Sequence, residues 1–336
     1  MLDLLKQLCE LDGTSGREAA VRDFIISKLN GAPYRVDAMG NLIVEVKGKQ
    51  PAKNKVMLCA HMDEVGVIAT FIKGDGTVKF TTVGGINPAV LLGRQVRFES
   101  GAVGVIGVKP VHLCGEEEKN ALPGVPEMHI DLGADSREEA EKLISVGDTA
   151  VFTSEYTEMG DKLLSKAIDD RAGCAIMLDM IRQGVTYDTV FCFNTQEEVG
   201  LRGSGVSAFS VDPDYAIVLE ATTAADIIDA PEEKQVCVLG RGAAVSFMDN
   251  ATVYDPALFK KAFAVAAEND IRIQPKTMVA GGNDAGSVHK SRAGVRTITV
   301  NVPCRYIHSA SCVCDKNDVL EARKLAEKLG EAFAMA

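Results

Sequence analysis

The stretch KVMLCAHMDEVG, residues 55–66, is an apolar run that closes on polar, metal-competent side chains. A run of this kind, bounded by lysine and glycine, predicts a strand that is almost wholly buried in a central sheet. His61 and Asp63 stand two residues apart at its end, a spacing at which a carboxylate can orient an imidazole that binds a metal ion. A core histidine satisfied by a nearby acid would show the same pair. The stretch therefore predicts a core strand and leaves the role of its polar end open.

Similar runs recur along the chain and alternate with helical patterns. Strands are predicted at 41–48, 189–196, 215–221 and 295–302, and amphipathic helices at 17–29, 171–183, 256–270 and 319–336. Ser15 is a suitable N-cap for the first of these helices. One long segment interrupts this alternation of strands and helices. Residues 66–164 form short strand-like pieces separated by glycine-rich turns. Alternating strands and helices that are interrupted once predict an α/β fold with a small β-rich insert.

Composition and charge indicate which partners and which location to expect for this protein. Lysine and arginine total 36 against 47 aspartates and glutamates, and the net charge of −11 disfavours nucleic acid as a partner. No apolar run approaches the roughly 20 residues of a membrane span, and Asp3, Lys6 and Glu10 lie where a signal peptide would be apolar. Nine scattered cysteines, mostly in apolar stretches, are typical of reduced thiols. We therefore expect a cytoplasmic protein with neither a nucleic-acid nor a membrane partner.

Five segments place carboxylates or imidazoles beside predicted strands or at the start of a helix. They are His61 with Asp63, Asp169 with Asp170, Glu197 with Glu198, Glu220, and His308. Ligands of open α/β sheets gather beyond the carboxyl ends of the strands, so these side chains can converge on one crevice. Acids favoured at a helix N-terminus, or a solvated turn, would explain single pairs equally well. Two imidazoles and three carboxylates are the ligands that two divalent ions need, roughly 3.5 to 4 Å apart.

The motifs AHMDEVG, AIDDRAG, QEEVGLRG and RYIHS, with the acid after the IVL strand, resemble the co-catalytic metallo-aminopeptidases of the glutamyl or deblocking aminopeptidase family. Their order and spacing match over nearly the whole chain, as do VGGINP, LLGR, GVIGVKPVHL and IDLGADSREEAE in the β-rich segment. The resemblance implies a zinc-peptidase-like central mixed sheet flanked by helices, formed by residues 1–66 and 165–336. It also implies that residues 67–164 form an inserted β-barrel-like dimerisation domain. Such dimers would assemble into a homododecamer, a hollow tetrahedral shell.

The same resemblance implies a ligand set for two metal ions. His61, Asp169 and Glu220 would hold one ion. Asp169, Glu198 and His308 would hold the other, so that Asp169 bridges the two. Glu220 departs from the family, which more often has aspartate at this position. The implied cofactors are two divalent ions per subunit, Zn²⁺, Co²⁺ or Mn²⁺.

The resemblance also implies roles for the remaining polar residues and an activity. Asp63 would orient His61, Glu197 would be the general base, and the peptide bond between Asp169 and Asp170 would be cis. The implied enzyme is an aminopeptidase that removes the N-terminal residue of short peptides whose N-terminus is free. The motifs leave the preferred N-terminal residue open.

Two other functions compete with this interpretation. A glycoside hydrolase of the endoglucanase type also needs two carboxylates, but it needs neither His61 nor His308. The chain has no tryptophan and only 5 % aromatic residues, which disfavours a sugar-binding cleft. A non-catalytic metal-binding shell protein would have little reason to keep Glu197 beside a complete ligand set. A peptidase is therefore the favoured prediction.

Overall fold

The structure consists of a large mixed sheet flanked by helices and of a separate barrel. It is a computed structural model that describes residues 1–336 apart from the side chain of Glu118. The strands in chain order are β1 (Tyr34–Val36), β2 (Leu42–Val46), β3 (Val56–His61), β4 (Gly66–Ile72), β5 (Val78–Val83), β6 (Gln95–Phe98), β7 (Val103–Gly107), β8 (His129–Asp131), β9 (Thr149–Phe152), β10 (Thr157–Met159), β11 (Lys162–Ser165), β12 (Thr189–Asn194), β13 (Tyr215–Thr223), β14 (Ala243–Ser246), β15 (Ile273–Lys276), β16 (Arg296–Arg305) and β17 (Cys312–Asp315). The helices are α1 (Leu2–Cys9), α2 (Ala19–Ser27), α3 (Glu116–Asn120), α4 (Arg137–Ala140), α5 (Ile168–Gln183), α6 (Arg202–Val211), α7 (Pro256–Glu268), α8 (Ala285–Val288) and α9 (Lys316–Ala334).

The large sheet has its parallel strands at the centre. Its order is β1-β2-β12-β3-β13-β16-β17-β11-β10, with β14 paired to β16 and β15 paired to β14. The inner strands β12, β3, β13 and β16 are parallel, whereas β2 and β17 pair antiparallel on either side of them. The carboxyl ends of the inner strands therefore meet at one edge, where ligands of α/β sheets bind. This arrangement confirms the predicted α/β class with a mixed central sheet.

Strand β3 is buried on both faces because helices cover each side of the sheet. Leu58 and Ala60 belong to the core beneath α1, α5 and α9, whereas Met57 and Cys59 belong to the core beneath α6 and α8. Successive residues of a strand point to opposite faces, so both sets must be apolar. The continuous apolar run of this strand thus has a direct structural cause.

A closed barrel forms between β3 and α5 in the chain. Its strand order is β4-β5-β8-β7-β6-β9, and residues such as Phe80, Ile106 and Ile130 fill a core of its own. This confirms the predicted β-barrel-like insert. The hairpin β10–β11 that follows pairs with β17 of the large sheet. The division into residues 1–66 with 165–336 and residues 67–164 as two domains stays a prediction.

Two local features differ from the sequence-based expectation. Helix α2 begins at Ala19 without a side-chain cap, so the prediction of Ser15 as its cap is wrong. The Ser15 hydroxyl instead donates to Asp63 Oδ2 at 2.6 Å, because a short polar side chain bonds whichever acceptor the fold brings near it. The sequence patterns do not predict helix α6, because its sequence RGSGVSAFSV is rich in glycine and serine, which are weak helix formers.

The cysteines carry free thiols in this fold. The nine cysteines are free thiols, and eight of them are buried while Cys114 is partly exposed. Among the residues that the structure describes, no helix combines the length and the apolar composition needed to cross a bilayer.

Candidate active site

The predicted site residues gather where the inner strands of the large sheet end. His61 is the last residue of β3, and Glu220 lies on the adjacent strand β13. Glu197 and Glu198 follow β12, which pairs with β3 on its other side. Parallel register brings the three strand ends together, so residues from distant parts of the sequence share one crevice.

Two further residues reach the crevice from outside the parallel strands. Asp169 lies at the start of α5, and its peptide bond to Asp170 is cis, as the family resemblance implies. His308 lies in the turn between β16 and β17 and has a positive φ of 59°. The structure thus brings together all of the residues for which a ligand role is predicted.

Asp169 lies between the two histidines. Its Oδ1 is 3.2 Å from His61 Nε2, and its Oδ2 is 3.3 Å from His308 Nε2. On the first side, Glu220 Oε1 is 3.3 Å from His61 Nε2. On the second side, Glu198 Oε2 is 3.2 Å from His308 Nε2. Each imidazole therefore faces one oxygen of Asp169 and one of a glutamate.

Hydrogen bonds to main-chain carbonyls orient both imidazoles. His61 Nδ1 lies 3.0 Å from the main-chain oxygen of Asp63, and His308 Nδ1 lies 2.7 Å from that of Gly85. A carbonyl only accepts, so in the neutral ring each Nδ1 carries the proton and each Nε2 turns its lone pair to the carboxylates. The oxygen of Asp63 nearest to the ring is thus the carbonyl rather than the predicted carboxylate, whose Oδ1 is 3.4 Å away.

The Asp63 carboxylate has a second set of partners in the turn after β12. Its Oδ1 accepts the main-chain N–H of Glu197 at 3.0 Å, and its Oδ2 accepts that of Glu198 at 3.2 Å. The side chain is completely buried. Asp63 therefore ties the end of β3 to the turn that carries both glutamates.

Burial dominates the electrostatics of the cluster. It raises the pKa of Glu197 and of Glu220 well above the usual glutamate range, and that of Glu198 to about 8. Burial alone would lower the pKa of His61, but the surrounding carboxylates, led by Glu220, raise it well above the usual histidine value. Several acids thus share a buried space with little positive charge to balance them, which favours a bound cation.

The donor atoms of this cluster fit divalent metal ions. Ligand atoms of His61, Asp170 and Glu220 lie within 4.8 Å of one another, and so do those of His61, Asp169 and Glu198. Two buried carboxylate oxygens, Asp170 Oδ2 and Glu220 Oε2, have no hydrogen-bond partner among the described residues. Buried acceptors of this kind are normally satisfied, and a cation would satisfy them. Imidazole nitrogen and carboxylate oxygen are suitable ligands for Zn²⁺, Co²⁺ or Mn²⁺.

The cluster lines a cavity of about 380 Å³, and its other walls include residues that sequence reasoning missed. Lys276 ends β15, is almost fully buried, and donates from Nζ to the carbonyl of Ala280 at 2.9 Å. Burial lowers its pKa. Thr222 and Asn301, on neighbouring strands, line the same cavity. The only sequence signal of Thr222 and Asn301 is a position near the end of a predicted strand, which many residues share, and Lys276 lies outside the predicted strands.

Comparisons with known proteins agree with this geometry. A sequence profile of the M42 glutamyl aminopeptidase family matches residues 40–325. A putative aminopeptidase from Acetivibrio thermocellus is 36 % identical over 329 residues, which cover 97 % of each chain. A lysyl aminopeptidase from Pyrococcus furiosus is 33 % identical over 98 % of this chain and 96 % of its own. The similarity therefore extends over the sheet and the barrel alike.

Solved structures give the same result. An aminopeptidase from Desulfurococcus kamchatkensis superposes with a TM-score of 0.92 at 33 % identity, over 98 % of this chain and 94 % of its own. The TET1 peptidase of Pyrococcus horikoshii has a TM-score of 0.85 at 33 % identity, over 98 % of each chain. A Thermotoga maritima protein named endoglucanase has a TM-score of 0.81 at 36 % identity, over 98 % of this chain and 99 % of its own. The chain therefore belongs to the M42 glutamyl aminopeptidase family and is an aminopeptidase.

Proposed function

We propose that this aminopeptidase removes the N-terminal residue of short peptides and depends on two divalent metal ions. The observation that carries the proposal is the position of Asp169, whose two carboxylate oxygens face different imidazoles. A carboxylate shared by two nitrogen ligands suits a paired metal site. His61 and Glu220 would complete one ligand set, and His308 and Glu198 the other.

The ions, when bound, would lower the pKa of a water molecule and polarise the peptide carbonyl. Zn²⁺, Co²⁺ and Mn²⁺ all suit these ligands, so geometry and availability decide among them. Glu220 reaches the first ligand set from β13, and its Oε1 also accepts its neighbour's main-chain N–H at 3.1 Å. Its Oε2 is buried and has no hydrogen-bond partner among the described residues, so the carboxylate keeps an acceptor that a cation would satisfy.

Glu197 would act as the general base. Its Oε2 is 3.9 Å from His61 Nε2, so the carboxylate borders the ligand cluster but is not part of either proposed ligand set. From this position it would take a proton from the attacking water and return it to the leaving amine. The Asp63 carboxylate holds the main-chain N–H of Glu197, so the catalytic side chain starts from a defined place.

A free N-terminus would be the recognised end of the substrate. The cavity wall contains the carboxylates of Asp169, Glu197, Glu198 and Glu220. A substrate α-ammonium group carries a positive charge that these acids attract, whereas an acetylated amine carries none. Peptides with a free N-terminus are therefore the expected substrates.

A homo-oligomer is the proposed assembly, built from dimers that join into a dodecamer. The similar TET1 peptidase of Pyrococcus horikoshii can assemble into a tetrahedron or a large octahedral shell. The segment between β7 and β8 exposes the apolar side chains of Val111, Leu113 and Leu122. Exposed apolar side chains of this kind support the proposal that residues 67–164 form the dimerisation domain.

The two competing functions have weaker support. A similar protein carries the name endoglucanase, but glycoside hydrolysis uses two carboxylates and leaves the paired imidazoles without a role. In a non-catalytic shell protein, Glu197 would have no role. The cytoplasm remains the predicted location.

The decisive experiment measures initial rates on aminoacyl p-nitroanilides and on matched N-acetylated controls. The protein is assayed after chelation and again after addition of Zn²⁺, Co²⁺ or Mn²⁺. We expect metal-dependent cleavage that is restricted to free amines. Absence of turnover with loaded metal sites would reject the proposal, and activity on cellulose or carboxymethylcellulose would favour the glycoside hydrolase.

A further inference from the structure

The turn after β12 directs three successive main-chain N–H groups at carboxylates. Those of Glu197 and Glu198 donate to Asp63, as described above. The N–H of Gln196, one residue earlier, donates to Glu18 Oε1 at 3.1 Å. Gln196 has a φ of 57°, which lies in the left-handed region that residues other than glycine rarely adopt. A turn in such a conformation persists only if its surroundings hold it.

Glu18 reaches this turn from the start of the chain. It lies 178 positions before Gln196 and is 6 % exposed. The same Oε1 also accepts the N–H of Gly16 at 2.7 Å, which fixes the orientation of the carboxylate. Ser15, in the same loop, donates to Asp63 Oδ2 at 2.6 Å. One loop therefore supports both carboxylates that hold the turn.

The loop is itself anchored to the end of β3. The N–H of Gly13 donates to Glu64 Oε1 at 3.1 Å, and the N–H of Glu64 donates to the carbonyl of Gly13 at 2.9 Å. Lys166 Nζ lies 2.7 Å from Glu64 Oε1 in a buried ion pair. The loop that carries Glu18 is therefore held in a fixed position against the end of β3.

We propose that Glu18 is a positioning residue that holds the turn of Gln196 and so places the Glu197 carboxylate for proton transfer. The inference rests on the proposed function, because it assumes that Glu197 is the general base. Loss of the Glu18 acceptor would leave the part-buried N–H of Gln196 without its carboxylate partner, and the turn would shift to find another. A misplacement of about 1 Å in a catalytic group can lower the rate by about 100-fold.

The test compares three substitutions at position 18 with a control. Glu18→Leu removes the acceptor, Glu18→Asp keeps the charge on a shorter side chain, and Glu18→Gln keeps an oxygen acceptor without the charge. The control is Arg17→Ala, because Arg17 lies in the same loop but pairs with Glu99 at an exposed site. Each variant is measured for kcat, KM, bound metal, and amide hydrogen exchange over residues 195–201.

For Glu18→Leu and Glu18→Asp we expect kcat to fall about 10- to 100-fold, with KM within about two-fold of the wild-type value. Amide exchange over residues 195–201 should become faster, and bound metal should not change. Glu18→Gln should keep most of the wild-type kcat, and Arg17→Ala should match the wild-type enzyme. A purely structural role would lower metal content and leave kcat per loaded site unchanged.

Three results would overturn the inference. They are wild-type kcat in both Glu18→Leu and Glu18→Asp, an equal loss in Glu18→Gln, or a loss of activity that follows the metal content. Glu18→Asp decides the matter if Glu18→Leu does not fold. An inactive wild-type enzyme would instead reject the proposed function, and hydrogen exchange would still report whether Glu18 holds the turn.

Discussion

The two histidines of the cluster are held in different ways. His61 ends a strand that is buried along its whole length, and its side chain is 1 % exposed. His308 lies in a turn between two strands, and its side chain is 31 % exposed. The residue that orients His61 is Asp63, two positions away, whereas Gly85, which orients His308, follows barrel strand β5 and is 223 positions away.

This difference divides the cluster into two halves. The His61 half is positioned by the strands of the large sheet. The His308 half also depends on Gly85, which follows barrel strand β5. Solvent access controls how strongly water competes for a bound ion, and the side chain of His61 is far more buried than that of His308. We therefore expect the His61 half to hold its ion more firmly.

The largest effect is expected from Glu197→Gln, which removes the proposed base beside the His61 half. Turnover should fall by about 10³-fold or more, because a glutamine cannot accept the proton. Bound metal should stay at the wild-type level, since Glu197 is not in either proposed ligand set. Steady-state rates and elemental analysis measure the two quantities. Glu138→Gln, at an exposed position on α4, is the matched control. Unchanged turnover in Glu197→Gln would reject this mechanism.

Alanine at each histidine should separate the two halves. His61 belongs to the half that is expected to hold its ion more firmly, so His61→Ala should keep less metal than His308→Ala and lose about 100-fold or more of the activity. His308→Ala should keep close to one ion per chain, because the His61 half is intact. Elemental analysis after dialysis gives the metal content, and circular dichroism checks the fold. Greater metal loss in His308→Ala than in His61→Ala would contradict the contrast.

Removal of metal from the wild-type enzyme should occur in two phases. The ion of the His308 half should leave at a chelator concentration about 10-fold lower than the ion of the His61 half. Titration with a chelator, followed by elemental analysis of the desalted protein, resolves the phases. Release of both ions at one chelator concentration would show that the two halves do not differ.

The smallest effect is expected from Gly84→Ala, next to the residue that orients His308. Gly84 has a φ of 86°, and an added Cβ would lie 2.8 Å from Val65 Cγ1 and 3.3 Å from Glu198 Cβ. Crowding in a packed site typically costs about 1–3 kcal/mol, so we expect a lower melting temperature and several-fold weaker binding of the second ion. Gly93→Ala is the control, since its φ is 70° and nothing lies within 4 Å of the added Cβ. Equal metal binding in both variants would show that Gly84 does not influence the metal site.

Patterns between near neighbours in the chain predict the strands and mark the polar residues at their ends as candidate ligands. The apolar run of β3 and the polar residues at its end are neighbours in the chain, so their pattern reveals a buried strand and its polar rim. Asp169, Glu198 and His308 are candidates by residue type and position, and the family resemblance assigns them to the two ligand sets, which no periodicity connects. Ser15 shows the limit of local patterns, because its expected partner was a helix terminus and its actual partner is Asp63.

The order of residue types along the chain sufficed to indicate the α/β class and the β-rich insert, and it also marked the candidate ligands that the fold brings together. Side-chain periodicity and strand ends depend mainly on near neighbours, so they are readable from one sequence. The contacts of Glu18 with Gln196 and of His308 with Gly85 arise only when the folded chain closes gaps of 178 and 223 positions. Such bonds depend on distance in space, and no pattern along the chain records that distance.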